Sequence, residues 1–255
     1  MDRTFDELVG EADAAPMSGW DFSWLEGRAT EERPSWRFSR LLHDRLGTVD
    51  TALDLQTGGG EVLAAAPALP RLLVATEGWP PNVAAATRLL HPRGVAVVAH
   101  DDAGPGSPPL PFADGAFDLV TSRHPVAPRW AEIARVLRPG GTYLAQHVGP
   151  ASVFELVEFF LGPQPEEVRR GRDPEDEVAA ARAAGLELVD LRVERLRIAF
   201  YDVGAVVWFL RKVVWMVPGF TVDAYRTELR DLHERILADG PFVAHSARHL
   251  VELRR

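Results

Sequence analysis

The sequence predicts an α/β fold: a mainly parallel, doubly wound sheet with helices on both faces. Three observations carry this. From residue 49 onward, short apolar runs alternate with helical patterns, as parallel strands joined by crossover helices require. The first run, Val49 to Leu55, leads straight into glycines at 58, 59 and 60. A second run, Leu72 to Thr76, ends on an acid, Glu77, seventeen residues after Gly60. Strand, glycine turn, helix and a second strand ending on an acid make a nucleotide-binding half-site. The glycines let the backbone approach a ligand, and the acid accepts hydrogen bonds from ribose hydroxyls.

Each element follows in order. Residues 1–45 carry Trp20, Phe22, Trp24, Trp36 and Phe38 among acids and arginines. Only Ser35 to Leu46 reads as helical there, with Phe38, Leu41, Leu42 and Leu46 at helical spacing. The earlier aromatics either cap a pocket or pack on the core. Strands are expected at about 50–55, 71–76, 95–100, 117–122 and 142–148. Helices are expected at 61–66, at 82–90 behind Pro80-Pro81, and at 130–137 before Pro139-Gly140-Gly141. Two further helices, at 152–161 and 174–184, precede a long strand at 186–200. Asp173 is the natural N-cap of the second. Val203 to Val217 reads as an apolar helix, Thr221 to Ala238 as an amphipathic one, and Phe242 to Leu253 as a last strand.

Composition narrows the function. At 255 residues the chain can bury a full core as one domain. It divides into a cap (1–45), a ligand-binding core (46–150) and a carboxyl-terminal half (151–255). Net charge is −9 and Lys212 is the single lysine. A basic stripe for a nucleic-acid backbone is missing, so no nucleic-acid partner is expected. The absence of cysteine removes disulfides, thiol nucleophiles and iron–sulfur ligation. The acidic amino terminus is no signal peptide, and a cytoplasmic location is expected. The apolar stretch at 203–220 is broken by Arg211 and Lys212 and falls short of the roughly 20 residues a membrane span needs.

The turn itself counts against one cofactor class and excludes another. A dinucleotide turn needs Gly-x-Gly-x-x-Gly; counted from Gly58, the last glycine falls on Leu63. Glu61 at the helix start would repel a phosphate. No Gly-x-x-x-x-Gly-Lys is present, which excludes a P-loop. His100-Asp101-Asp102 ends the third strand, where an acid suits an exocyclic amine such as that of adenine.

These residues resemble the class I S-adenosylmethionine-dependent methyltransferases, in their small-molecule, type 11-like branch. The matching pieces are Leu53 to Glu61, Val74 to Glu77, Asp101-Asp102-Ala103, Leu110 to Val120 and Ala131 to Gly141. The last two are specific when found together in this order. The resemblance covers about 50–148 well, and the rest loosely. It implies a Rossmann-like seven-stranded sheet with the last strand antiparallel and, with the helical pattern at 35–46, an amino-terminal helical cap.

It also implies S-adenosyl-L-methionine as cofactor. Asp54, Gln56, Gly58, Gly59 and Gly60 would hold its methionine end, with Asp54 anchoring the turn. Glu77 and Gly78 would meet the ribose. Asp101 or Asp102 would face the adenine amine, with Asp102 favoured. Ser122 and Arg123 would lie beside the sulfonium. One departure stands out. Gln56 occupies a position where the family uses glycine for its unusual backbone angles. The substitution is harmless if the angles there are ordinary, and weakens the cofactor site if they are not.

Methyl transfer is an in-line displacement that needs positioning, exclusion of water and, for a hydroxyl nucleophile, a base. His124, just past the fourth strand, is the candidate base, against a reading as a loop-bonding histidine. Trp24, His147 and Tyr201 are candidate substrate contacts, and no residue is assigned to a metal. The expected activity is methylation of an O or N atom of a small-molecule acceptor by a monomer or homodimer without a membrane partner. The alternatives are an inactive cofactor-binding regulator, which Gln56 alone supports, and a nicotinamide-dependent oxidoreductase.

Overall fold

The computed structural model describes residues 3–17, 21–101 and 106–255. Its strands are β1 (Ala29–Glu31), β2 (Thr51–Leu55), β3 (Leu72–Glu77), β4 (Ala96–Ala99), β5 (Phe117–Arg123), β6 (Leu137–Val148), β7 (Glu187–Phe200) and β8 (Phe242–Arg254). Its helices are α1 (Phe5–Ala14), α2 (Phe38–Leu46), α3 (Glu61–Ala64), α4 (Pro80–Leu90), α5 (Trp130–Val136), α6 (Phe154–Leu161), α7 (Glu166–Arg169), α8 (Pro174–Ala183), α9 (Val203–Lys212) and α10 (Arg226–Asp239). Hydrogen-bonded neighbours run β1-β7-β8-β6-β5-β2-β3-β4. Seven of these strands are the expected ones. The eighth, β1, lies in the segment read only as an aromatic cap.

The chain forms two compact units: residues 34–149, 172–194 and 248–255 in one, and 1–33, 150–171 and 195–247 in the other. The boundaries cut across the three segments expected from sequence, and β7 and β8 each contribute to both units.

In the larger unit β4, β3, β2, β5 and β6 are parallel, and the end of β8 joins β6 antiparallel. Two cores result, one on each face. Successive side chains on a strand point to opposite faces. Leu144 and Leu250 therefore pack with Trp36, Phe38, Leu42, Leu63 and Leu90. Their neighbours Tyr143 and Val251 pack with Ile133, Val136, Val178 and Ala181. Pro80 and Pro81 open α4, where missing N–H groups cost nothing. Asp173 caps α8 by accepting the N–H of Glu175, with Pro174 next.

The smaller unit is built on α1, α6, α9 and α10, packed around Phe5, Phe200, Val206, Trp208 and Leu232. Thr4 and Glu7 form a reciprocal capping box at the start of α1. β1 pairs antiparallel with the end of β7, Ala29 opposite Phe200.

Three boundaries differ from expectation. The apolar run expected as one helix to Val217 stops at Lys212, because the β-branched pair Val213-Val214 follows and Val213 leaves helical space at φ −110°, ψ 61°. α10 begins at Arg226 rather than Thr221. Pro139-Gly140-Gly141 does not precede β6 but lies within it. The pairing jumps from Phe117–Leu137 to Leu119–Thr142, so the extra residues bulge out. A Cβ on Gly141 would sit 2.9 Å from the Arg138 carbonyl oxygen. No described helix is long and apolar enough to cross a membrane.

Candidate functional site

The parallel register brings the carboxyl ends of β2, β3, β5 and β6 to one edge of the larger unit. Asp54 lies beside Ala75 and Thr121, Leu55 beside Ser122, and Arg123 beside Gln146. Asp54, the 56–60 turn, Glu77, Gly78, Asp101, Ser122, Arg123 and His124 therefore share the edge where open parallel sheets bind ligands. Asp102 lies outside the described residues, as does Trp20.

Glu77 organises the glycine turn. It is only 8% exposed. Its Oε2 accepts the Gly58 N–H at 2.8 Å and its Oε1 the Trp79 N–H at 2.9 Å. Each oxygen keeps a lone pair for a further donor. The Thr57 N–H donates to the Thr76 carbonyl at 2.9 Å. Gly58 and Gly60 adopt φ +66° and +84°, and a Cβ on Gly60 would lie 2.8 Å from the Leu90 side chain. Gly78 lets the ends of β3 and β4 close up, with a Cβ there 3.1 Å from the Asp101 Cα. Asp101 itself is exposed.

Gln56 keeps the conformation of the glycine it stands in for. Its φ is +56°, so its angles are not ordinary, and an L-residue there costs about 1–2 kcal/mol. Its side chain leaves the turn, and its Oε1 accepts the Val126 N–H at 2.8 Å. The turn is thereby fastened to the loop after β5. Asp54 is buried beneath. Burial pushes its carboxyl up to about 7, opposed by the Thr57 hydroxyl and reinforced by the charge of Glu77. The Ser122 hydroxyl donates to the Leu55 carbonyl at 2.8 Å and so joins β5 to β2.

His124 sits in the left-handed region at φ +59°. Its neighbours fix its proton. The Trp36 indole N–H can only donate, and it donates to Gln146 Oε1 at 2.8 Å. The Gln146 amide group therefore faces His124 Nε2, 2.8 Å away, and donates to it. A neutral ring accepting at Nε2 carries its hydrogen on Nδ1. Burial, then the positive charges of Arg248 and Arg123, hold its pKa well below the usual histidine value. The proton-accepting role expected of His124 thus meets a lone pair already engaged at Nε2.

One residue along β6 the side chains turn to the other face. His147, 2% exposed, lies directly opposite His249, 1% exposed. His147 Nδ1 is 2.6 Å and His249 Nε2 2.9 Å from Glu177 Oε2. A carboxylate only accepts, so both rings donate. The Tyr143 hydroxyl then donates to His147 Nε2 at 2.9 Å, and the Trp130 ring stacks on His147. Burial of Glu177 would raise its pKa, but the two imidazole hydrogen bonds outweigh that and pull it down to about 2. Burial lowers the pKa of His147.

The other expected substrate residues lie in the smaller unit. Trp24 stacks on Trp208 at 5.6 Å and 9°, with the Arg28 guanidinium 4.0 Å above its ring. Arg28 makes two 3.0 Å hydrogen bonds to Asp202. Tyr201 is 45% exposed, its hydroxyl 3.1 Å from that of Thr30. Sequence reasoning missed Trp36, Tyr143, Gln146, Glu177 and His249 as site residues. Strand register places Tyr143, Gln146 and His249, while Trp36 and Glu177 reach them from the segment before α2 and from α8, and no local motif announces it.

Residues 53–145 match the model of a methyltransferase domain family. Among curated proteins, none matches the sequence. The fold is shared with solved structures at low identity. YcgJ from Bacillus subtilis matches at TM-score 0.62 and 18% identity, over 86% of this chain and 98% of its own. A proposed methyltransferase from Bacillus halodurans C-125 matches at 0.58 and 19%, over 84% and 97%. The [4+2]-cyclase SpnF matches at 0.52 and 19%, over 98% and 93%. Residues 53–145 thus resemble a methyltransferase domain, and the solved structures share the fold.

Proposed function

We propose that the chain binds S-adenosyl-L-methionine at the carboxyl edge of β2, β3 and β4 and transfers its methyl group to an O or N atom of a small-molecule acceptor. The observation that carries this is the glycine turn clamped to Glu77. A buried carboxylate with spare lone pairs, beside backbone that only glycine allows at position 60, fits a ribose diol and an amino-acid tail. Asp54 and residues 56–60 would hold the methionine end, Glu77 and Gly78 the ribose, and Asp101 and Asp102 the adenine side. Ser122 would act through the backbone it fixes, and Arg123 would lie beside the reacting centre. The bound cofactor supplies an electrophilic methyl on a positive sulfur. The protein's part is to hold the two reactants in line and keep water out.

His124 enters this reading as a hydrogen-bond donor. Its Nδ1–H is left to orient the acceptor, while Gln146 holds the other nitrogen. His124→Ala should then lower turnover roughly 10- to 100-fold with little change in cofactor affinity. Small-molecule acceptors are supported over nucleic acid by the net charge of −9. The test is release of S-adenosylhomocysteine when the protein and cofactor meet a panel of hydroxyl and amine acceptors. Binding of the cofactor without turnover on any acceptor would favour a regulator instead.

A further inference from the structure

Methyl transfer gives no task to His147, Glu177 and His249. They come from three elements, β6, α8 and β8, and are separated by 30 and 72 residues. Their three nearest donor atoms all lie within 4.8 Å of one another. Two imidazoles and one carboxylate is the donor set that suits zinc and its first-row neighbours, with a remaining position for water.

We propose that His147 Nδ1, His249 Nε2 and a Glu177 carboxylate oxygen bind one zinc ion.

Three features support it. The two histidines are a direct cross-strand pair, so both rings leave the same face of a rigid sheet. Glu177 comes down on them from the first turn of a helix with a fixed start. The outer surroundings are those of a ligating histidine: Tyr143 holds the far nitrogen of His147, and Trp130 fixes the ring plane.

The change needed is small. Tetrahedral sites with bonds near 2.0–2.1 Å keep their donors roughly 3.3 Å apart. The present 2.6 and 2.9 Å separations must open by about half an ångström. The Glu177 side chain is 17% exposed, which leaves the ion a way in and the carboxylate room to retreat. The proton count closes. On binding, the His147 proton moves from Nδ1 to Nε2 and is donated to the Tyr143 oxygen, which can accept as well as donate. The His249 proton moves to Nδ1. No net proton is released, and the site holds Zn²⁺ with one carboxylate charge. The ion would join β6, β8 and α8.

The experiment uses the full chain, freed of metal with EDTA and then dialysed. Zinc is titrated in by calorimetry, and cobalt(II) is added separately while the visible spectrum is recorded. The expected results are one zinc per chain with a micromolar or tighter Kd, a rise of several degrees in Tm, and the intense visible bands of four-coordinate cobalt. His249→Ala and His147→Ala should weaken zinc at least 100-fold, and Tyr143→Phe roughly 10-fold. Circular dichroism shows whether each variant folds, and the cobalt spectrum of the wild-type protein needs no variant. A wild-type protein that takes up no stoichiometric zinc, or only weakly bound octahedral cobalt, overturns the proposal. So does zinc affinity unchanged in His249→Ala. None of these readings depends on methyl transfer.

Discussion

Gln146 and His147 are neighbours on one strand, yet they serve two different kinds of buried polar network. On one face, Trp36, Gln146 and His124 form a chain in which a single fixed donor, the indole N–H, dictates every later proton. On the other, two histidines donate to one carboxylate, and a tyrosine donates to the far nitrogen of one of them. The first network is closed: it positions a loop and locks a tautomer. The second is not: His249 Nδ1 has no partner among the described residues. Burial alone does not separate them, since Gln146 and His147 are 3% and 2% exposed. The direction of the hydrogen bonds does.

The sharpest way to break this contrast is Glu177→Gln in the presence of EDTA. It removes the charge that two buried N–H groups share, so stability should fall by about 2–4 kcal/mol. Urea unfolding measures it, and a loss under about 1 kcal/mol would mean that the imidazoles do not lean on the carboxylate. The closed network should respond less. Gln146→Leu strands an indole N–H and a ring nitrogen, at a cost of about 1–3 kcal/mol. Trp36→Phe sharpens the point differently, because it frees the amide to turn its oxygen toward His124. The His124 ring should then titrate at higher pH by NMR than in the wild-type protein. An unmoved midpoint contradicts the tautomer assigned here.

Asp54 extends the comparison to the base of the glycine turn. Its folded-state pKa, raised to about 7, lies above the unfolded value. The native state therefore binds the extra proton, and stability is lost as pH rises. Between pH 6 and pH 8 the loss should be about 1.4 kcal/mol, or a few degrees in Tm. Asp54→Asn should abolish that slope; a slope that persists assigns it to another group. The smallest expected effect is at Gln56. Gln56→Ala keeps the left-handed strain and loses the bond to Val126, costing about 1 kcal/mol, whereas Gln56→Gly relieves the strain and should cost less. The reverse order in thermal melts would show that the side chain, not the backbone angle, governs this position.

Much of this was legible in the sequence, for physical reasons. The order of strands and helices from 51 to 136 follows from apolar runs and prolines. The position of Glu77 follows from the length of one strand–helix–strand unit. α1 carries a capping box, Thr4 and Glu7, but its buried face is only Phe5, Leu8, Val9 and Ala12, too short an apolar stripe to stand out in sequence. β1 is three residues long, and only its pairing with β7 defines it. The networks around Gln146 and His147 were illegible for a deeper reason. A period of two tells that adjacent residues face opposite ways, but not which distant tryptophan or glutamate waits on each side.

The central claim is that the carboxyl edge of β2 and β3 is shaped for an adenosine bearing an amino-acid tail. Titration of the wild-type protein with S-adenosylhomocysteine in a calorimeter, beside a parallel titration with reduced nicotinamide dinucleotide, tests it most directly. One-to-one binding of the first with a Kd in the micromolar range, and no heat from the second, is the predicted result. Binding of the dinucleotide with none of the homocysteine nucleoside would contradict it.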